Sequence, residues 1–236
     1  MKDEKKGAIV PATKADLALP FDLTEKDVGA GMEGTDRDSF AIPFLRGLQK
    51  LSPQCDESNA AYVKGAVGGM LWNSVTGKLY DGEVIFLPCA FQRRFLQWGP
   101  RGTENSGYRG AHTPEEVVAM REKKLAVEID GRLYVADAEG KVNEKKSDRL
   151  VDTRSHFGLV DGTQVVLALA STQVKKSKLL MSMLSQIKVN SPRGKVTPPT
   201  WVNRIKLTTT QEKNDQGTWH GVAFEHAGLI DSRELY

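Results

Sequence analysis

The run VIFLPCAFQRRFLQW, Val84 to Trp98, constrains the fold most. Its apolar residues come in short clusters and alternations, not at the three-and-four spacing of a helix stripe. It reads as one long strand. Pro88 marks a bulge or an edge position in it, because proline has no N–H for the ladder. A strand of this length needs long partners, and the chain supplies them. RLVDTRSHFGLVDGTQVVLALAST predicts two strands joined at Asp161-Gly162, a strong hairpin signal. TWVNRIKLTTTQEKNDQGTWHGVAFE predicts a second long hairpin turning between Asn214 and Gly217.

Between these hairpins STQVKKSKLLMSMLSQIKV predicts a helix starting near Ser171 or Thr172. Leu180, Met183, Leu184 and Ile187 form its apolar stripe. A short helix is expected from Thr113, with Pro114 at its first position and Glu115 and Glu116 in the first turn. LAVEIDGRLYVADAEGKV reads as a small hairpin, and SVTGKLYDGE carries two turn signals. DSFAIPFLRGLQKLSPQ is expected to form a short helix, capped by Asp38 or Ser39, that packs through Phe40, Phe44, Leu45, Leu48 and Leu51. SPRGKVTPP reads as a Pro-rich linker.

Strands mostly in hairpins, with one well-defined helix among them, predict a mainly β chain. The expected architecture is an OB-like five-stranded barrel with a helix between strands and a peripheral hairpin and helical insertion. Residues 1–38, rich in Pro, Gly and charge, are expected as a flexible arm. Residues 39–228 form the domain, 100–148 an excursion from its sheet, and 229–236 a short tail.

Composition excludes little by itself. Charged residues make up 27% and the net charge is +3, so any basic surface must come from local clustering. Cys55 and Cys89 are too few for a disulfide framework and form no C-x-x-C zinc pair. They read as reduced thiols. With a charged N-terminal stretch and no membrane-length apolar run, the expected location is the cytoplasm, without membrane contact.

Three clusters carry the chemistry. On a strand, side chains alternate, so Phe91, Arg93 and Phe95 share one face, and Gln92, Arg94, Leu96 and Trp98 the other. With Arg101 just beyond, this is either an edge strand whose arginine stems cover apolar surface, or a platform on which bases stack and arginines hold phosphates. Lys175, Lys176 and Lys178 crowd a helix N-terminus, the wrong end for cations unless an anion sits there. In TWVNRIKL, Arg204 and Lys206 point away from Trp201, Asn203, Ile205 and Leu207, and fit contact with a polyanion backbone. The alternative for each cluster is ordinary solvated charge.

Enzyme readings find no support. His112, His156, His220 and His226 lack metal-ligand spacing, and neither a P-loop nor G-x-S-x-G nor G-x-G-x-x-G occurs. Asp81 to Glu83 sits in a turn, which weighs against a nuclease metal site. No catalysis, cofactor or metal is expected.

In order, AIPFLRGLQKLSPQ, GGMLWNSVTGKLYDGEVIFLPCAFQRRFLQWGPR, LVDTRSHFGLV, ALASTQVKKSKLLMSML and PPTWVNRIKLTTTQEKNDQGTWHGVAFE resemble a group of tailed-phage early proteins. That group is similar to the OB-fold single-stranded DNA-binding proteins of bacteriophages. The resemblance spans about residues 38 to 225. It implies a replication and recombination protein of the host cytoplasm that coats single-stranded DNA without strong sequence preference. It also implies a groove lined by Phe91, Arg93, Arg94, Phe95 and Trp98, with Lys175, Lys176, Lys178, Arg204 and Lys206. Replication proteins are implied as partners, and a homodimer is left open. One departure concerns the end, HAGLIDSRELY, where Arg233 stands beside Asp231 and Glu234. Recruitment through a strongly acidic tail does not fit it. A phage structural or accessory protein that binds other proteins, and a single-strand annealing recombinase, are the alternatives.

Overall fold

The computed structural model describes residue 22 and residues 24–230, apart from 193 and 216. In chain order the elements are β1 (Leu45–Gly47), β2 (Leu71–Asn73), β3 (Leu79–Tyr80), β4 (Val84–Gly99), β5 (Gly107–His112), α1 (Pro114–Glu122), β6 (Ala126–Ile129), β7 (Arg132–Val135), β8 (Arg149–Val160), β9 (Thr163–Ala170), α2 (Val174–Gln186), β10 (Val189–Ser191), β11 (Gly194–Val196), β12 (Asn203–Asn214) and β13 (Gly217–Leu229). The protein is mainly β, and its sheets are antiparallel. Among the described residues they do not close into a barrel.

β4 is the spine. It pairs with β12 through its first residues, with β8 along most of its length and with β5 at its far end. The register with β8 shifts between Pro88 and Ala90, so Cys89 is the extra residue of a bulge. Before the bulge, Val84 and Phe86 face the core. Beyond it the parity switches, and Phe91, Arg93 and Phe95 continue the same face. Pro88 at this point costs the ladder little, because the pairing is already broken there.

The β8–β9 hairpin turns at Asp161 and Gly162, both at positive φ. β12 and β13 pair in register to Asn214 and Gly217. The main core collects Phe86, Val160, Val165, Leu167, Leu207 and Val222. α2 packs Leu180 and Leu184 on Ile205, with Met183 and Ile187 at the margin of the cluster, as the stripe predicts. α1 starts at Thr113, whose side chain accepts from the Glu116 N–H while Glu116 bonds back to the Thr113 N–H.

Three expectations are corrected. Residues 39–51 are not a helix. Pro43 interrupts it, and the segment runs extended through β1, burying Leu45 and Leu48 and leaving Phe40 and Leu51 exposed. The Pro43 carbonyl accepts from the Val166 N–H, so this segment lies along β9 instead. Of the expected linker, residues 191–199, Ser191 and Gly194–Val196 belong to a small β10–β11 hairpin. The stretch 100–148 leaves the sheet only in part, because β5 pairs with β4 and β7 with β8 while α1 lies outside it. Of the expected arm, residues 1–21 and 23 lie outside the described residues, as do residues 231–236 of the tail.

Candidate nucleic-acid interface

Beyond its bulge β4 runs out with β8 and β5, and α1, β6 and β7 gather around it. β8 is lined on one side by β4. On its other side it pairs with β7 at Arg149 and Leu150, and with β9 from Thr153 onward. Val151 and Asp152 fall between the two partners, so the sheet has a notch there. Arg132, the first residue of β7, and Ser171, just after β9, stand on its two sides.

Two cavities meet at this notch, and Arg132, Arg149, Val151 and Ser171 line both. The inner one, about 510 Å³, has an apolar floor of Phe95, Val117, Leu133 and Leu150 and a rim that includes Arg93 and Arg121. The outer one, about 1050 Å³, is bordered by Trp98, Arg101, Tyr134, Glu144 and Lys145.

The charges differ between them. The cations that line the inner cavity alone, Arg93 and Arg121, are paired. Arg93 grips Asp152 with Nε at 3.0 Å and Nη2 at 2.9 Å, and Arg121 bonds Glu128. In the outer cavity Arg101, Arg132, Lys145 and Arg149 have no ion pair among the described residues, and Glu144 accepts from the Tyr134 hydroxyl at 3.3 Å. Trp98 is exposed and meets Tyr108 edge-on, ring centres 5.7 Å apart. Four free cations beside a half-open aromatic pair can hold phosphates and stack a base.

The residues singled out from sequence separate into groups. Trp98 and Arg101 share the outer cavity. Phe95 belongs to a small core with Val117, Leu133 and Leu150, and the Arg93 guanidinium covers its ring at 5.1 Å. This favours the packing alternative for Phe95. Phe91 is partly exposed, tilted against His156 at 5.1 Å. Arg94 is on the other face and donates to the Arg93 carbonyl at 3.2 Å. Lys175 and Lys178 are exposed on α2, whose first residue, Val174, lines the inner cavity. Lys176 is bound to Glu212 at 2.9 Å, and the same carboxylate accepts from the Trp219 ring N–H at 3.0 Å.

Arg204 and Lys206 are on the outer face of β12. Lys206 is held by Glu83 at 2.7 Å and stands opposite Ile85. Ile85 is roughly 40 Å along β4 from Trp98 at about 3.3 Å per residue. The structure therefore does not bring these two to the groove. Tyr108, Arg132, Lys145 and Arg149 were missed by the sequence reading. The signal was there in GRLYV, where alternation puts Arg132 and Tyr134 on one face, continued by Arg149 opposite Tyr134.

His156 is 1% exposed, and its Nε2 lies 2.9 Å from Ser177 Oγ on α2. Burial first, and the nearby Arg154 charge second, push its pKa down to about 4. It is a packed core histidine. Among the described residues no group of three or more His, Cys, Asp or Glu is placed to hold a metal ion, and no helix is long and apolar enough to cross a membrane.

Comparison with known families decides the origin. The model of the Pam3 phage gp34-like protein family matches residues 12–236. The chain belongs to this family. It is therefore a bacteriophage protein, as the resemblance implies. The family's description names a phage and no activity, so it lends nothing to a single-stranded DNA-binding role. No curated protein and no solved structure matches the chain.

Proposed function

We propose that this phage protein binds single-stranded DNA without strong sequence preference, in the host cytoplasm, through the groove that runs from Trp98 and Arg101 to the notch. The observation that carries this is the outer cavity itself. Among the described residues its Arg101, Arg132, Lys145 and Arg149 have no carboxylate partner, in a protein that pairs Arg93, Lys176 and Lys206 elsewhere.

Connectivity supports an OB-like reading of the domain. β4, β8 and β9 form a three-stranded meander, α2 follows, and β12 and β13 form a hairpin whose first strand returns to β4. That is the strand, helix and hairpin order of an OB-fold, which is a partly open barrel. The gap between β9 and β13 is crossed by residues 43–49 rather than by direct strand pairing. The segment between the first two strands of the meander holds α1, β5, β6 and β7, and this loop is one that OB-folds use for oligonucleotides.

The test is fluorescence anisotropy of a labelled oligothymidylate against a matched duplex, at low and high salt. Tight, salt-sensitive binding of the single strand is the expected result. Absence of binding at low salt would overturn the reading and turn attention to protein partners. A protein-binding accessory role is the second reading, favoured by the exposed Phe40 and Ile42 beside the Pro43 contact.

A further inference from the structure

Asp152 stands where the two cavities meet, and two guanidiniums converge on it. Arg93 makes the two-pronged contact, and Arg154 Nη2 lies 3.6 Å from the same Oδ2. Arg93 and Arg154 are direct cross-strand neighbours, a like-charge placement that is unfavourable without an anion between them. Arg154 has a side chain only 12% exposed, and its Nε is buried with no partner among the described residues. A carboxylate gripped by a guanidinium fork presents the geometry of a bound phosphate, since the same fork serves both. Beside it the groove carries unpaired cations, yet at the notch it carries this filled site.

We infer that Asp152 is a built-in stand-in for a backbone phosphate. It occupies the Arg93–Arg154 site, keeps the bound strand out of the inner cavity and holds the affinity below what the arginines could give. The inference rests on the single-strand reading of the groove. Asp152→Asn retains the size and an acceptor oxygen while removing the charge. Both guanidiniums then become available to a phosphate of the strand.

The experiment measures oligothymidylate binding over a salt series for the wild type, Asp152→Asn, and the double variant Asp152→Asn/Arg93→Gln, with melting temperatures for each. Asp152→Asn is expected to bind about tenfold tighter at low salt, the size of one added charge-assisted contact. Its log K against log salt should steepen by about 0.7, one more phosphate neutralised. The double variant should lose both gains. Unchanged or weaker binding by a folded Asp152→Asn overturns the inference. If that variant does not fold, Asp152→Thr replaces it. Failure of both to fold would make the carboxylate a structural counter-ion of Arg154 and overturn it equally. Melting in inorganic phosphate separates the two readings. A wild type that binds no strand, beside an Asp152→Asn protein that phosphate alone stabilises, would sink the DNA reading and leave the masked anion site standing.

Discussion

Gln49 hydrogen-bonds both backbone groups of His220, its Nε2 donating to the carbonyl oxygen at 2.9 Å and its Oε1 accepting from the N–H at 2.7 Å. The amide side chain thus takes the place of a neighbouring strand on the outer edge of β13. Two residues on, the Val222 N–H donates to Gln173 Oε1 at 2.9 Å. An unpaired strand edge is a template for association with other chains, and these two glutamines cover part of one. Gln49→Leu leaves two partly buried backbone groups unsatisfied. It should lower stability by about 1–3 kcal/mol in urea unfolding. It should also speed amide exchange at His220 and raise the tendency to self-associate in light scattering.

Gly158 faces the β4 bulge. A Cβ there would lie 2.2 Å from the Leu87 carbonyl oxygen and 2.4 Å from the Phe86 ring. Neither neighbour can retreat, since one is backbone and the other is wholly buried. Gly158→Ala should destabilise by about 1–3 kcal/mol, as overpacking does. Denaturant titration checks the size. Amide exchange across β4 should show the pairing opening next to Cys89 first.

The two aromatics at the far end of β4 separate packing from binding. Phe95→Ala should lower stability by about 2–4 kcal/mol, toward the range for a Phe cut from a core, because the ring fills the cluster under α1. Trp98→Ala should leave the melting temperature nearly in place. It should weaken oligothymidylate binding by about 1–3 kcal/mol, the value of one stacked base. The reverse pattern would mean that Trp98 is structural.

Strand alternation and turn residues made most of the framework legible. Asp161-Gly162, the Leu180–Leu184 stripe and the Thr113 cap each express a local rule that tertiary packing leaves intact. Pro88 pointed to a bulge or an edge, while the exchange of faces that the bulge causes along β4 shows only in the pairing with β8. The groove was less legible because charge in sequence carries no partner. Arg93, Lys176 and Lys206 look as free as Arg132 and Arg149 until Asp152, Glu212 and Glu83 are placed beside them. Those partners lie on other strands or across a turn, 59 residues away for Asp152 and farther still for Glu83. Residues 39–51 misled for a related reason, since their apolar spacing served β1 and its contact with β9 rather than a helix.

The groove predicts its own salt dependence. Four unpaired cations at about 0.7 per phosphate give a slope of log K against log salt near −3. Arg132→Gln and Arg149→Gln should each flatten it by about 0.7 and weaken binding uniformly across sequences. Lys206→Gln, on the outer face and held by Glu83, should leave the slope where it is. Equal effects from all three would argue for a diffuse electrostatic surface instead of a groove.

His156 makes stability depend on acid. Its folded pKa, about 4, lies below the 6.5 of an ordinary histidine. The unfolded chain therefore takes up the proton first as pH falls. The stabilisation is fully present above about 6.5, is lost between 6.5 and 4, and changes no further below that. A depression of this size corresponds to roughly 3 kcal/mol. His156→Gln keeps a partner for Ser177 and cannot take up that proton, so the difference in stability between variant and wild type should shrink as pH drops through this window. Urea unfolding at intervals from pH 7.5 to 4 reads it directly. A constant difference would show that the imidazole stays accessible to protons in the folded state, and that α2 does not seal it against β8.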